Sequence, residues 1–254
     1  MRFIPLIATT VALATPALAP AATPPAPQGA KHVVLVHDAF VDGSGWRVVH
    51  DSLKLKGYKV SVVQLPHTTL GEDIAVVRDR VAVQDGPVVL VGHGYGGLVI
   101  TEAGARPKVK ALVYVAAMEP DVGEGMNQLN ASMPPAAAAS VRSTRDGHLY
   151  IDPDRFNADY AADLTPNRTG FLANSQALVP DALFRGNVWT AAWHDKPSYG
   201  IVATEDRLLN PDLQRQMYKR AGARVTEIKA SHAVQISQPE KVAEVIEEAA
   251  RNVQ

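Results

Sequence analysis

The sequence predicts an α/β fold in which a mostly parallel central sheet carries helices on both faces and a cap is inserted over the sheet. Short valine-rich apolar runs have the pattern of strands that are buried on both faces of a parallel sheet. These runs alternate with helical patterns, as in repeated βαβ units. The chain has 254 residues, 46% of them hydrophobic, and is long enough to bury an extensive core as one large domain.

Strands and helices are expected to alternate along most of the chain. The strands are expected at 32–37, 59–64, 87–91, 111–115, 199–203 and 224–229. The helices are expected at 46–55, 72–83, 98–105, 211–220 and 239–252. The section 118–193 breaks this order, because it holds a Pro-Pro pair, a run of alanines and several short polar turns. We expect this section to be the cap insertion of a domain that spans 31–254.

The N-terminus has the order of parts of a secretory signal peptide. A short basic start precedes a largely apolar run over 3–14, which is too short to span a bilayer, and 17–19 is a small-residue cleavage site. Cleavage two residues later is a comparable choice. We therefore expect a signal peptide at 1–21, a Pro- and Ala-rich linker at 22–30, and a periplasmic or secreted protein without membrane contact after cleavage. An uncleaved membrane anchor is the alternative.

The composition argues against several classes of function. The net charge is −1 and the basic residues are spread along the chain, so no basic stripe for nucleic acid is expected. The absence of cysteine excludes disulfides, thiolate metal sites and a cysteine nucleophile. The histidines show no metal-ligand spacing, and neither a metal nor a cofactor is expected. The oligomeric state stays open.

The turn after the third strand allows two interpretations. Gly92, Gly94 and Gly97 match the dinucleotide-binding pattern G-x-G-x-x-G, but that turn normally follows the first strand and needs an acidic residue about 20 positions further on. Here two βα units come first, and only Glu119 lies at a tolerable distance. The rival interpretation is a nucleophile elbow, G-x-S-x-G, over 92–96, in which Gly94 stands at the serine position.

Two downstream residues favour the elbow. Asp206 follows the fifth strand and His232 follows the last, in the order nucleophile, acid, base that a hydrolase of this kind requires. Each alone is more often a solvated turn residue or a structural histidine. Together, at these places in the topology, they predict a catalytic pair in which the carboxylate orients the imidazole and stabilises its cation.

Four segments carry a resemblance to a known family: 34–46, the elbow 92–97, 202–207 and 231–233. They are similar to bacterial α/β-hydrolases of the pyrethroid-esterase-like type, relatives of the plant methylesterases and hydroxynitrile lyases. The resemblance covers essentially everything after the linker and implies an α/β-hydrolase fold whose cap shapes substrate choice.

The resemblance also implies roles for single residues. Gly94 stands at the nucleophile, Asp206 at the acid and His232 at the base, and the backbone N–H groups of Ala39 and Tyr95 would form the oxyanion hole.

The chain departs from this pattern at two positions. Gly94 has no side chain and cannot attack a carbonyl, so ordinary acyl-enzyme turnover is not expected. Asp38 stands where the esterases have glycine beside the oxyanion hole, and a carboxylate there would repel the developing negative charge. Asp38 could instead stay protonated and donate a hydrogen bond, act as a base beside His232, or simply point to solvent or cap a turn. The hydroxynitrile lyases, which retain the serine, also carry a polar residue at this position.

Three functions stay open for an exported protein that binds a small hydrophobic, ester-like molecule. In the first, His232 activates a water in the space left at Gly94, as a hydrolase without serine. In the second, His232 and Asp38 carry out lyase or other proton-transfer chemistry. In the third, the protein binds a ligand without turnover. Phe40 and His93 are candidate substrate contacts, although each could as well pack locally.

Overall fold

The structure is a computed structural model that describes residues 27–253, so the predicted signal peptide and most of the linker lie outside the described residues. The strands are β1 (His32–Val36), β2 (Lys59–Val62), β3 (Val88–His93), β4 (Val109–Val115), β5 (Val141–Ser143), β6 (His148–Ile151), β7 (Val179–Pro180), β8 (Ser198–Ala203) and β9 (Arg224–Ile228). The α-helices are α1 (Arg47–Leu55), α2 (Leu70–Ala82), α3 (Gly96–Ala103), α4 (Met126–Ser132), α5 (Pro153–Tyr160), α6 (Pro166–Ser175), α7 (Pro211–Arg220), α8 (Val234–Ser237) and α9 (Pro239–Arg251).

The central sheet confirms the predicted fold class. Six strands pair in parallel in the order β2-β1-β3-β4-β8-β9. Strands β1, β3 and β8 are buried along their whole length, because helices cover both faces of the sheet. Residues of α1 and α9 join the core on one face, and residues of α2, α3 and α7 join the core on the other.

Local signals set the starts of two helices that flank the site. Helix α2 begins after Thr69, whose hydroxyl accepts the N–H of Glu72. Helix α7 begins with Pro211 after Asn210, whose side chain accepts the N–H of Asp212. These caps satisfy N–H groups that a helix start leaves without an intrahelical partner.

The predicted bounds differ from the observed ones mainly near glycine. Strand β3 runs on to His93 and α3 begins at Gly96, two residues before the predicted start at 98. The predicted helix at 46–55 begins with a short 3₁₀ turn over Gly43–Trp46 that leads into α1. Glycines have a low helix propensity, so a sequence pattern leaves them outside the helix even where packing includes them.

Between β4 and β8, the chain builds a small antiparallel sheet of β5, β6 and β7 together with α4, α5 and α6. The sequence predicts no strands there, because these strands have only two to four residues and most of those residues are partly exposed. Several ion pairs and hydrogen bonds join this section to the loops after β8 and β9. Asp159 accepts from Arg207 at 2.8 Å, and Asp163 accepts from the Ser231 backbone at 3.2 Å.

Within residues 27–253, no helix combines the length and the hydrophobicity that crossing a bilayer requires.

Candidate active site

The residues predicted to carry the chemistry meet at the carboxyl edge of the parallel sheet. Asp38 follows β1, Gly94 follows β3, Asp206 follows β8 and His232 follows β9. Strands β1 and β3 lie side by side, and the chain continues from β1 outward to β2 on one side and from β3 outward to β4 on the other. Ligands of open α/β sheets bind outside the carboxyl ends of the strands at such a switch point.

A sharp turn between β3 and α3 presents Gly94 to this edge. Its backbone has φ +54°, a left-handed conformation that costs a residue with a side chain more than it costs glycine. Strand and helix approach closely here, because a Cβ atom on Gly92 would lie 2.5 Å from the carbonyl oxygen of Gly96. The turn therefore has the strand-turn-helix form that the sequence predicted for 92–96.

Asp206 and His232 form a closely held pair. His232 Nδ1 lies 2.7 Å from Asp206 Oδ2, and both side chains are almost completely buried. The other oxygen of Asp206 accepts the backbone N–H groups of Leu208 and Leu209. Gln214 on α7 donates to Asp206 Oδ2 at 2.9 Å. These bonds fix the carboxylate, which in turn fixes the orientation of the imidazole.

Asp38 points inward and fills the space above Gly94. A Cβ atom built on Gly94 would lie 2.5 Å from Cγ of Asp38 and closer still to its Oδ1, so a serine cannot fit at residue 94 without displacing this carboxylate. The Tyr95 N–H, a predicted oxyanion donor, donates to Asp38 Oδ1 at 2.7 Å. Asp38 is 3% exposed, which is incompatible with the alternative in which it points to solvent.

A second carboxylate therefore faces the imidazole of His232. Asp38 Oδ2 lies 3.5 Å from His232 Nε2, while Asp206 holds Nδ1. Burial alone would lower the pKa of His232, but the charges of Asp206 and Asp38 outweigh it and raise that pKa to about 10. Burial alone would raise the pKa of Asp38, but the positive charge of His232 and the Tyr95 N–H lower it below its ordinary value. At neutral pH the site thus holds an imidazolium between two carboxylates.

His37 fixes the loop that carries Asp38. His37 Nε2 accepts the N–H of Leu65 at 3.0 Å, so the ring proton is on Nδ1. Nδ1–H then donates to the Asp38 carbonyl oxygen at 2.7 Å. Burial lowers the pKa of His37, which keeps this imidazole neutral and the bond pattern fixed.

His93 lies beneath the loop of His232 rather than on the wall of the cavity. Its Nε2 bonds the His232 carbonyl oxygen at 2.8 Å, and its Nδ1 lies 3.2 Å from the side-chain amide nitrogen of Gln235. Burial, followed by the nearby charge of His232, lowers the pKa of His93 to about 3. His93 is therefore a neutral support for the histidine loop.

Asp38, His93 and His232 also offer three potential metal-ligand atoms within 4.8 Å of one another. Both ring nitrogens of His93 are already hydrogen-bonded, and the Nδ1 of His232 is held by Asp206. A metal would have to break bonds of His93 and remove the proton of the imidazolium. The donor set thus fits an acid–base site better than a metal site.

A cavity of about 340 Å³ opens above this edge of the sheet. Asp38, Gly94 and His232 form part of its wall, together with Phe40. The part of the wall that comes from the section between β4 and β8 is mostly apolar. It includes Met126, Pro134, Ala137, Val141 and Leu149. A mostly apolar cavity of this volume with a few converging polar groups is typical of sites for small molecules.

Tyr160, at the end of α5, belongs to the site although sequence reasoning did not single it out. Its hydroxyl lies 3.5 Å from Asp38 Oδ2, and its ring packs edge-on against His232 with the centroids 5.1 Å apart. The available signal was the i, i+4 pair Phe156 and Tyr160, because two aromatic residues at this spacing lie on one face of a helix. Both side chains are fully buried.

Comparison with known proteins agrees with this fold. A model of the alpha/beta hydrolase family matches residues 33–245. The chain belongs to the alpha/beta hydrolase family. This membership confirms the resemblance that the sequence motifs carried.

Relatives within the family include hydrolases of fungi and bacteria. A probable hydrolase R7 of Phoma sp. is 29% identical over 244 residues, which cover 86% of this chain and 97% of that protein. The pyrethroid hydrolase of Sphingobium wenxiniae is 27% identical over 244 residues, which cover 84% of this chain and 85% of that protein. The crystal structure of polyneuridine aldehyde esterase superposes with a TM-score of 0.75 at 20% identity, covering 86% of this chain and 98% of that one. That last likeness supports the fold.

Proposed function

We propose that this member of the alpha/beta hydrolase family is a proton-transfer enzyme that acts on a small hydrophobic carbonyl compound, with His232 as general acid and Asp38 as general base. The observation that carries the proposal is the carboxylate of Asp38, which occupies the space of a serine side chain on residue 94 and faces His232 Nε2 at 3.5 Å.

The proposed step moves one proton in each direction. The carbonyl oxygen of the substrate accepts the proton of His232 Nε2–H, while Asp38 Oδ2 takes a proton from the carbon next to the carbonyl. The electrons of the broken C–H bond form the C=C bond of an enol, and those of the C=O π bond form the new O–H bond. Return of a proton to a different carbon or face completes an isomerisation.

The ligand itself makes the pair reactive. In the free site, His232 lowers the pKa of Asp38 by its charge, which makes the carboxylate a weak base. When a carbonyl oxygen accepts the Nε2 proton, the imidazole becomes neutral and no longer lowers the pKa of Asp38. Burial then raises the basicity of the carboxylate, which keeps only the Tyr95 N–H and the long contact with the Tyr160 hydroxyl.

Acyl-enzyme hydrolysis is not supported by the same site. Gly94 supplies no nucleophile, and the N–H of Tyr95, which would stabilise an oxyanion, already donates to Asp38. A water activated by His232 in the space above Gly94 is also disfavoured, since Asp38 fills that space and the imidazolium has no free lone pair to accept a proton.

Ligand binding without turnover is the second candidate. It is favoured by the position of the imidazolium between two carboxylates, because their negative charges stabilise its proton and oppose proton transfer. Both candidates use the same cavity. They differ in whether the bound ligand reacts.

The test is deuterium uptake by benzylacetone in heavy water, followed by mass spectrometry of the carbons next to the carbonyl. The enzyme should raise the exchange rate above background, and Asp38→Asn and His232→Gln should return it to background. Exchange at the background rate with benzylacetone bound would favour the ligand-binding candidate. Hydrolysis of p-nitrophenyl acetate that depends on His232, without exchange, would contradict the proposal and support a hydrolase.

We also propose that the protein works outside the cytoplasm. The support is the order of basic start, apolar run and small-residue site within 1–21. Fractionation of cells that express the full chain should place a shortened protein in the periplasm or medium, and a full-length protein in the cytoplasm would contradict it.

A further inference from the structure

Asp73, in the first turn of α2, is a buried carboxyl group that the proposed chemistry does not use. Its side chain is fully buried. Its Oδ2 accepts the Tyr95 hydroxyl at 2.8 Å, and its Oδ1 accepts the backbone N–H of His67 at 2.9 Å. Burial opposes the negative charge of this carboxyl group and raises its pKa. A buried carboxyl group is costly unless it is hydrogen-bonded, and both of these bonds lead toward Asp38.

The first partner, Tyr95, connects Asp73 to the side chain of Asp38. The Tyr95 backbone N–H donates to Asp38 Oδ1 at 2.7 Å, so this tyrosine bonds one carboxyl group through its main chain and the other through its hydroxyl. The tyrosine ring is fully buried and packs edge-on against Phe184 and His67, with centroids 6.0 Å and 5.9 Å away. The bond to Asp73 fixes the far end of the side chain and thereby restricts movement of the residue whose N–H holds Asp38.

The second partner, His67, packs against the residue that holds the backbone of Asp38. The rings of His67 and His37 meet edge-on with their centroids 5.2 Å apart, and His37 Nδ1–H donates to the Asp38 carbonyl oxygen. His67 has φ +55°, a left-handed conformation that is unfavourable for a residue with a side chain. The bond from its N–H to Asp73 helps to hold that conformation. Both supports of Asp38 therefore lead back to the same buried carboxyl group.

We infer that Asp73 is a positioning residue, which holds the carboxylate of Asp38 opposite His232. It acts through Tyr95 on the Asp38 side chain and through the loop of His67 on the Asp38 backbone. The distance that it maintains is the 3.5 Å between Asp38 Oδ2 and His232 Nε2. The inference rests on the proposed function for the role of Asp38 as the base, whereas the position of Asp38 is measured on the free protein without a substrate.

The experiment uses three substitutions that separate the hydrogen bonds of Asp73 from its charge. Asp73→Ala removes both bonds, and Tyr95→Phe removes only the bond to the hydroxyl. Asp73→Asn removes the charge, but its amide can still accept the N–H of His67 and donate to the Tyr95 oxygen. The control is Tyr114→Phe, which removes the hydroxyl of another fully buried tyrosine, bonded to Thr101.

Two quantities are measured: the pKa of the His232 imidazole, by NMR titration of the free protein, and the deuterium-exchange rate of benzylacetone. In Asp73→Ala and Tyr95→Phe, the pKa of His232 should fall by about 1 or more, because the carboxylate of Asp38 is no longer held opposite Nε2. The exchange rate should fall about tenfold. Asp73→Asn should recover most of both losses, and Tyr114→Phe should keep both wild-type values.

Urea denaturation shows whether each variant folds, and Tyr95→Phe decides the question if Asp73→Ala does not fold. A folded Tyr95→Phe protein in which His232 titrates as in wild type would overturn the inference. Equal falls in Asp73→Ala and Asp73→Asn would also overturn it, because the effect would then come from the charge of Asp73 and not from its bonds. The expected shifts in the pKa of His232, with no exchange in wild type, would contradict the proposed reaction and leave the role of Asp73 standing.

Discussion

The loops after β8 and β9 and the loops after β1 and β3 form two halves of one site, and they differ in what they hold. The first half keeps an acid–histidine pair with Nδ1 of His232 2.7 Å from Asp206. The second half holds no side chain at residue 94, and the neighbouring loop brings the carboxylate of Asp38 into that space. The comparison teaches that one imidazole can be fixed by an acid on one side and face a second carboxylate on the other, and that the two negative charges together raise its pKa.

The largest expected effect comes from breaking the first half. Asp206→Asn should lower the deuterium-exchange rate by about a thousandfold or more, because the imidazole loses the acceptor that fixes its orientation and supports its positive charge. The measurement is the exchange assay at neutral pH. Asp212→Asn is the matched control on the exposed start of α7 and should leave the rate unchanged. Equal losses in both variants would mean that the loss is not specific to the pair.

Restoring a serine in the second half should have the next largest effect. Gly94→Ser should lower the free energy of unfolding by about 3 kcal/mol. The serine side chain would clash with Asp38, and the backbone of residue 94 is left-handed, which is less favourable for serine than for glycine. Urea denaturation measures this. Adding Asp38→Gly should recover most of the loss, and the double variant should gain hydrolysis of p-nitrophenyl acetate. Losses that simply add, or a folded but inert double variant, would contradict this account of the exchange.

Glu119 is a buried carboxyl group outside the site, and it differs from Asp38 and Asp206 in having no partner among residues 27–253. Both oxygens of Glu119 lack a hydrogen-bond partner within the described residues, and burial raises the pKa of Glu119 to about 8. Since the unfolded group ionises near pH 4.5, the folded state should lose stability as the pH rises from 4.5 to 8. Glu119→Gln should remove this loss, which is on the order of 4 kcal/mol at pH 8, because glutamine does not ionise.

The control for Glu119 is Glu124, which Arg220 holds with two short contacts. Burial opposes ionisation of Glu124, but the bond from Arg220 outweighs it and lowers the pKa of Glu124. Its contribution is present above the unfolded pKa and is lost as the pH falls, so Glu124→Gln should destabilise at pH 8. Thermal unfolding across pH 4 to 9 compares the variants, and parallel curves for wild type and Glu119→Gln would refute the assignment.

The smallest expected effect is at the cap. Tyr160→Phe should slow exchange by roughly threefold to tenfold, because Asp38 loses a long hydrogen bond of 3.5 Å while the ring contact with His232 remains. It should also shift the pH profile of exchange, which a purely structural change would leave in place. Tyr150→Phe in β6 is the control, and an unchanged profile in Tyr160→Phe would exclude a role for the hydroxyl at Asp38.

The sequence predicted the sheet and the meeting of Asp206, His232 and Gly94, because strand patterns and chain order determine which loops share the carboxyl edge. It left open where the side chain of Asp38 points, because that depends on the free space next to Gly94, which is known only once the loops are packed together. It also missed Tyr160. This residue comes from the section between β4 and β8, where short strands and turns carry no periodic signal, and a contact distant in sequence places its hydroxyl beside Asp38.

NMR titration of the His232 imidazole tests most directly whether the carboxylate of Asp38 is the partner of its Nε2. In wild-type protein this ring should stay protonated through neutral pH and titrate near pH 10, and Asp38→Asn should lower its pKa. The raised pKa contributes stability below the unfolded pKa of 6.5, and this stability is lost as the pH rises toward 10. A ring that titrates near pH 6.5 in both proteins would contradict the account.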